Sequence, residues 1–228
     1  MATDPANSLH QQPSLDSLKG GAPFIGLTGG VGSGKTAVSD MLAQFGAGVV
    51  DTDQIAHQIT SPNGVAVPLI KKQFGSDFLD PVGALDRSKM RHLVFANPEA
   101  RKRLEAITHP LIRIESARQA QRLLRKHVPY VVFAVPLLIE SGNWRQLIDY
   151  LVVVDCLKET QIERVMHRSN LPRNEVEKIL EAQANRNERL KSADFIIENQ
   201  GTLQQLQAEA PQLHQKFLQI GKDRLSSS

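Results

Sequence analysis

The chain has 228 residues, of which 41 % are hydrophobic and 22 % are charged, a balance typical of a soluble globular protein. Its formal net charge is +3 and aromatic residues make up only 5 %, whereas nucleic-acid binders combine a basic stripe with aromatic side chains. A single cysteine, Cys156, excludes an intrachain disulfide, and no uncharged run approaches the roughly 20 residues of a membrane span. We therefore expect a cytoplasmic protein without nucleic-acid or membrane partners, either a monomer or a small homo-oligomer.

Both ends of the chain lack an apolar period. Residues 1–21 are rich in Ser, Pro, Gln and Asn, a composition that cannot bury enough apolar surface to fold. This predicts a disordered N-terminal extension, and the tail at 225–228 receives the same prediction.

Short apolar runs alternate with helical patterns along the rest of the chain. The runs that predict strands are 24–28, 48–51, 130–135, 150–154 and, more weakly, 195–197. Between the first two strands, residues 34–45 predict a helix that buries a face made of Val38, Met41, Leu42 and Phe45. Strands separated by helices imply right-handed crossovers, so the predicted fold class is α/β with a parallel five-stranded sheet.

Two long segments between strands contain no strand pattern. Residues 61–127 are helical in pattern, and Pro110 is expected to end or kink the clearest helix so that a new one opens at His109, with Thr108 near its cap. This insertion is interpreted as an acceptor-binding lobe, or alternatively as a simple enlargement of the core. Residues 158–190 are charged and helical, with a break at Leu171-Pro172 into two helices, a pattern that suits a mobile lid. The core would then comprise residues 22–60, 128–157 and 191–222.

The glycine-rich segment after the first strand has the pattern G-x-x-x-x-G-K-[ST] and opens the first helix. In that context it predicts a P-loop, whose backbone N–H groups and helix N-terminus bind the phosphates of ATP. Lys35 would bridge the β- and γ-phosphates, and the Thr36 hydroxyl is the expected Mg²⁺ ligand. The predicted phosphate-binding residues are Gly29, Gly30, Val31, Gly32, Ser33, Gly34, Lys35, Thr36 and Ala37. The absence of an Asn-Lys-x-Asp segment and of a Leu-Ser-Gly-Gly-Gln-type segment favours a small-molecule kinase over a GTPase or a motor.

A pair of carboxylates follows the second strand. Asp51 and Asp53 come at its carboxyl end, where open parallel sheets bind their ligands. Either aspartate could orient an acceptor hydroxyl and take its proton. Asp53 could instead cap a helix over residues 54–59.

Arginines recur at helical spacing in the second insertion. Arg164 and Arg168 stand four residues apart, and Arg186 and Arg189 three apart, so each pair shares a helix face. Such guanidinium groups could clamp phosphoryl oxygens. The alternative is surface ion pairing with Glu163, Glu175, Glu181 and Glu188.

Three further features carry weaker predictions. The strand that ends at Asp155 resembles a Walker B strand, although a metal role for that residue is disfavoured because Cys156 and a helix follow directly. Glu140 could line the acceptor site or cap a turn. The histidines include no H-x-x-x-H pair on a convincing helix, so a zinc site is not expected.

Six stretches in this order resemble the dephospho-coenzyme A kinase family. They are 28–35 and 51–56, then Phe95-Ala96-Asn97-Pro98 and His109-Pro110-Leu111-Ile112, and finally 135–140 and 182–189. The resemblance covers roughly residues 24–221. It implies a parallel sheet of nucleoside-monophosphate-kinase type with a helical coenzyme-A-binding insertion and a lid.

The resemblance also implies an activity and a set of site residues. The activity is ATP-dependent phosphorylation of the ribose 3′-hydroxyl of dephospho-coenzyme A, with Mg²⁺. The family's catalytic aspartate falls on Asp53, and its lid arginine falls on Arg164 with Arg168 one turn on; Arg189 joins the nucleotide-binding set. Acceptor contacts are expected at Thr28, Asp53, His57, His109, Pro136, Leu137 and Glu140. His57 departs from the family pattern, because many members carry arginine there, and histidine is only partly cationic at neutral pH.

Two alternatives stay open at this stage. The first is another small P-loop kinase, which would act on a nucleoside monophosphate or a sugar acid. The second is a regulator that binds ATP without phosphorylating anything.

Overall fold

A computed structural model describes residues 13–141, 144–201 and 203–226. It contains ten α-helices in the described residues: α1 Lys35–Gln44, α2 Thr52–Ile59, α3 Val67–Phe74, α4 Arg87–Ala96, α5 Pro98–Leu124, α6 Leu138–Ser141, α7 Lys158–Ser169, α8 Arg173–Glu181, α9 Arg186–Ser192 and α10 Leu203–Ser226. Its strands are β1 Phe24–Thr28, β2 Gly48–Asp51, β3 Val131–Ala134, β4 Tyr150–Asp155 and β5 Phe195–Glu198. Short 3-10 helices cover Asp16–Leu18 and Ser76–Phe78.

The five strands form one parallel sheet in the order β2-β3-β1-β4-β5. All five predicted strands are confirmed, with shifts of one residue at some ends. β1 lies in the centre, where Leu27 pairs with Ala134 of β3 and Thr28 with Val153 of β4. Every residue of β1 and β3 is buried, because a parallel sheet is covered on both faces and its inner strands read as continuous apolar runs.

Helices α1 and α10 pack together against the sheet. Val38, Met41 and Leu42 of α1 are buried in the main core cluster, as predicted. Phe45 was expected on the same face, but it is 40 % exposed. The reason is that α1 ends at Gln44 and the chain turns at Gly46, where φ is 98°.

Contacts divide the described chain into two units. The sheet unit holds 18–51 and 120–226, and the helical unit holds 13–17 and 52–119. The helical unit begins at Thr52, earlier than the predicted start of the insertion at residue 61. Residues 61–127 contain helices and one isolated bridge, with no strand, in agreement with the sequence.

Helix α5 runs through Pro110, so the prediction that a new helix opens at His109 is wrong. Proline removes the N–H that would bond to Ala106, four residues earlier. Both residues are exposed, so water can satisfy the freed carbonyl. The Thr108 hydroxyl donates to the Leu104 carbonyl at 3.0 Å, which places Thr108 inside the helix rather than at a cap.

Two other predictions of local structure need correction. The segment 158–190 contains three helices, α7, α8 and the start of α9, although the break at Leu171-Pro172 is confirmed. Residues 1–12 of the predicted N-terminal extension lie outside the described residues, but 13–21 include a 3-10 helix and the buried Leu15. In the predicted C-terminal tail, residues 225–226 belong to α10, and 227–228 lie outside the described residues.

A buried polar pair joins the residue that precedes β3 to α10. The Tyr130 hydroxyl lies 2.7 Å from Nδ1 of His214, and both residues are buried. Burial lowers the pKa of His214 and raises the pKa of Tyr130, so the imidazole is neutral and its Nδ1 can accept a hydrogen bond from the phenolic O–H.

We expect this pair to make folding stability depend on pH. The unfolded histidine has a pKa of about 6.5, so below that pH the unfolded chain binds a proton that the folded chain resists. Stability from His214 is therefore complete above pH 6.5 and falls as pH decreases, by up to about 1.4 kcal/mol per pH unit. Urea unfolding between pH 7.5 and 5.5 should show a smaller loss of unfolding free energy for His214→Gln than for the unsubstituted chain. The exposed His167 supplies the control, because His167→Gln should leave the pH dependence unchanged; equal slopes for all three proteins would contradict the prediction.

Candidate active site

The glycine-rich loop connects β1 to α1, as the sequence predicts. β1 ends at Thr28 and α1 begins at Lys35. Gly32 and Gly34 have φ of 76° and 92°, values that side-chain-bearing residues adopt only at a cost. The Ser33 N–H donates to the Gly30 carbonyl at 2.9 Å, which closes the loop into a tight curl.

Side chains pair with three consecutive carbonyl oxygens of this loop. Gln161 Nε2 donates to Val31 at 2.9 Å, an amino group of Arg164 lies 3.5 Å from the Gly32 oxygen, and Asn199 Nδ2 donates to Ser33 at 2.7 Å. The first two side chains belong to α7, and the third lies in the segment after β5. In a trans peptide the N–H points opposite to the C=O. The N–H groups of Gly32 and Gly34 therefore point away from these donors, as anion binding by a loop requires.

The connection between α8 and α9 is held against the same loop. The Val31 N–H donates to Gln183 Oε1 at 3.0 Å. The next residue, Ala184, donates its N–H to Glu140 Oε1 at 2.7 Å and accepts from the Arg189 guanidinium. Glu140, predicted either to contact an acceptor or to cap a turn, thus holds the α8–α9 connection.

Arg189 is the most buried of the predicted arginines. It is 8 % exposed, and an added methyl group at Gly30 would lie 3.0 Å from its terminal amino group. Burial lowers the pKa of Arg189, while the nearby charges of Glu140 and Asp155 act in the opposite direction. A guanidinium remains charged even so, which places a positive charge beside the loop.

The other predicted arginines have different surroundings. Arg164 donates to the Asn199 carbonyl at 3.0 Å and to the Gly201 carbonyl at 3.3 Å. Arg168, one turn further along α7, is exposed and makes no hydrogen bond or ion pair within the described chain. Arg186 bonds Asp155. The alternative of surface ion pairs with the four glutamates is not observed in the described residues, and Glu188 completes a capping box with Asn185.

The residues predicted to bind phosphate and the metal ion lie at the start of α1. Lys35 and Ala37 are half-buried and Thr36 is exposed in its first turn. Among the described residues Lys35 has no ion-pair partner. Ser33 is 1 % exposed, and its hydroxyl has no hydrogen-bond partner in the described structure. A hard oxygen ligand at Thr36 and a cationic Lys35 suit a phosphate-bound Mg²⁺.

Some of the residues predicted to contact the acceptor belong to the sheet unit and others to the helical unit. In the sheet unit the Thr28 hydroxyl donates to the Pro136 carbonyl at 3.1 Å, and Leu137, the next residue, is 38 % exposed. In the helical unit Asp53 and His57 are exposed on α2, one turn apart, while His109 is half-buried on α5.

Sequence reasoning missed three residues around the loop, namely the amide side chains of Gln161, Gln183 and Asn199. It considered Asp155 only for a metal role, whereas both oxygens of this carboxylate bond Arg186. Gln183 stood within a stretch that resembles the family, and Asn199 follows a strand at its carboxyl end, so position alone could have singled out both. No group of three or more metal-ligating side chains is present in the described residues, and none of their helices is long and apolar enough to cross a membrane.

We expect Gly30→Ala to weaken nucleotide binding. The new methyl group would collide with Gln161 and press on Arg189, and overpacking costs about 1–3 kcal/mol, which corresponds to about 5- to 150-fold in affinity. Calorimetric titration with a non-hydrolysable ATP analogue measures the change. Gly21→Ala is the matched control, because an added Cβ there has nothing within 4 Å. Equal affinities of the two variants would show that Gly30 tolerates a side chain.

Comparison with known proteins identifies the family of this chain. A family model described as dephospho-CoA kinase matches residues 23–205. A dephospho-CoA kinase of Burkholderia thailandensis is 53 % identical over 195 residues, covering 85 % of this chain and 95 % of the relative. TT1252 from Thermus thermophilus has a TM-score of 0.73 at 33 % identity, with 86 % and 98 % of the two chains covered. A dephospho-CoA kinase from Campylobacter jejuni has a TM-score of 0.64 at 29 % identity, with 86 % and 97 % covered. The chain belongs to the dephospho-CoA kinase family.

Proposed function

We propose that this chain transfers the γ-phosphoryl group of ATP to the ribose 3′-hydroxyl of dephospho-coenzyme A, giving coenzyme A and ADP in the last step of coenzyme A synthesis. The observation that carries the proposal is the glycine-rich loop with its paired carbonyls, in a chain whose residues 23–205 match the family. The alternative acceptors considered from the sequence have no comparable support.

The donor half of the reaction uses the loop and the start of α1. Backbone N–H groups and the helix N-terminus bind the phosphate oxygens of ATP, and Lys35 adds a positive charge at the transferred group. Thr36 would hold Mg²⁺ through its hydroxyl, and the ion, when bound, neutralises charge on the β- and γ-phosphate oxygens. Arg189, buried beside Gly30, is proposed to donate to phosphate oxygens as charge develops.

The acceptor half is assigned to Asp53. The acceptor oxygen attacks the γ-phosphorus, the bond from that phosphorus to the β–γ bridging oxygen breaks, and ADP leaves. The hydroxyl proton passes to the Asp53 carboxylate, which acts as general base. Support comes from the chain itself, since Asp53 follows the last residue of β2 by two positions and is exposed in the first turn of α2.

The remaining site residues are proposed to contact the acceptor. His57 has Nδ1 3.2 Å from the Ser61 hydroxyl, which leaves Nε2 for an acceptor phosphate. For Thr28, His109, Pro136 and Leu137 acceptor contacts are proposed from the family resemblance. Glu140 would have to exchange its bond to Ala184 for one to the acceptor.

Arg164 and Arg168 are proposed as lid residues that stabilise transferring phosphate. Residues 158–190 would be the lid and 61–127 the lobe that binds coenzyme A. Arg168 is unbonded in the described structure, so its guanidinium can turn to a phosphate. Arg164 already bonds carbonyls, so its contribution would include holding the loop.

Acceptor specificity is the direct test of the function. The purified chain, incubated with ATP and Mg²⁺, should release ADP with dephospho-coenzyme A, and phosphorus NMR should show a new 3′-phosphomonoester. Nucleoside monophosphates and sugar acids should give only background release. Turnover with a nucleoside monophosphate but not with dephospho-coenzyme A would overturn the proposal, and ATP binding without any turnover would indicate a regulator.

Substitution of the two aspartates should identify the general base. Asp53→Asn removes the proton acceptor and should lower kcat about 10²–10⁴-fold, with the affinity for an ATP analogue retained. Asp51→Asn is the matched control two residues away and should keep most of the turnover. A larger loss of kcat in the Asp51 variant would reassign the role.

A further inference from the structure

The last residue of β4 carries a buried carboxylate in an ion pair. Asp155 is 5 % exposed. Its Oδ1 accepts from Arg186 Nε at 2.8 Å and its Oδ2 from a terminal amino group of Arg186 at 2.6 Å. Two parallel bonds of this kind fix both the distance and the orientation of the partners. The hydrogen bond from Arg186 keeps the pKa of Asp155 low despite its burial, so the pair stays ionic.

This ion pair joins the sheet to the first turn of α9. Arg186 is the first residue of α9, which begins with the Asn185 and Glu188 capping box. Arg189 follows three residues later and lies on the same side of the helix. Because α9 is a short helix, fixing its first residue also constrains the position of Arg189.

The Arg189 guanidinium is buried without a carboxylate bonded to it. Its one hydrogen bond in the described structure is to the Ala184 carbonyl, whereas a guanidinium has five N–H donors. Asp155 and Glu140 supply the negative charges that favour its ionised form. Because the Arg189 guanidinium has so few bonds of its own, other contacts of α9 must keep it beside Gly30.

We propose that Asp155 is a positioning residue that acts through Arg186: it fixes α9 so that Arg189 remains beside Gly30 and receives the phosphate oxygens of ATP. The inference rests on the proposed function for its role in turnover, but the geometry concerns the loop alone. Arg186 occupies both oxygens of Asp155. The role proposed for Asp155 is therefore to position α9, and not to bind the metal ion as its Walker B-like position suggests.

The experiment is a double-mutant cycle on kcat and on the affinity for a non-hydrolysable ATP analogue. Arg189→Ala should lower kcat roughly 10²–10³-fold, as loss of an electrostatic donor does. Asp155→Asn should lower kcat at least about 10-fold, and the double variant should be no worse than Arg189→Ala alone, because both changes remove one positioned group. Multiplicative effects of the two substitutions would overturn the proposal.

Asp149→Asn is the matched control. Asp149 precedes the same strand at its other end and bonds Arg224 of α10 at 2.9 and 3.0 Å. Asp149→Asn should lower thermal stability, because it weakens the bonds to Arg224 and to the Phe24 N–H, while leaving kcat within about twofold. A similar fall in kcat for the two aspartate variants would show that Asp155 contributes only to stability.

A Mg²⁺ titration separates positioning from metal binding. The concentration of Mg²⁺ that gives half-maximal turnover should be unchanged in Asp155→Asn, and a large rise would assign Asp155 to the metal instead.

If Asp155→Asn fails to fold, Arg186→Gln replaces it, because that side chain is 43 % exposed. Should the unsubstituted chain not phosphorylate dephospho-coenzyme A, the proposed function fails alone. The cycle on analogue affinity then tests Asp155: non-additive losses support the positioning role, and additive losses overturn it.

Discussion

The site depends on one constraint: a loop can direct N–H groups at an anion only if its carbonyl oxygens are paired on the opposite side. Unpaired buried carbonyls cost about 1–3 kcal/mol each, so a glycine-rich curl alone would not hold its shape. Here Gln161, Arg164 and Asn199 face the three consecutive carbonyls of Val31, Gly32 and Ser33. The glycines permit the conformation, and the amide and guanidinium groups stabilise it.

The same surroundings explain how positive charge is kept beside the loop. Neighbouring arginines repel one another, and a buried arginine also loses hydration, so nearby negative charge is needed to stabilise them. Arg186 has a complete partner in Asp155, whereas Arg189 has only a carbonyl bond and two carboxylates at longer range. Arg186 is therefore held in a bidentate ion pair, whereas Arg189, three residues later on the same short helix, keeps unused N–H donors.

Local patterns predicted the sheet and the loop, because their signals lie in neighbouring residues. Apolar runs identify β1 to β5, and strand, glycines and Lys35 identify the loop. The pairing of Gln161 with Val31 joins residues 130 positions apart, and a lone glutamine carries no motif. Pro110 shows a different limit. Helix disruption depends on whether the freed carbonyl is exposed, which sequence does not show. The family resemblance supplied what periodicity could not, namely the choice of acceptor and of Asp53 over Asp51.

The bonds around the loop also bear on how a lid over 158–190 could move. Displacing the whole segment would break the bonds of Asp155 to Arg186, of Glu140 to Ala184 and of Gln183 to Val31. Helix α8 is different. Its described hydrogen bonds to other elements run only from Arg173 to Glu159 of α7, and Val176 packs in a small cluster with Ile162 and Val165. Motion of α8 alone therefore preserves the three anchors, and it also keeps the bonds of Gln161 and Arg164 from α7 to the loop. Because Val31 also packs against that small cluster, such motion would reach the phosphate loop directly, while α9 stays fixed to the sheet.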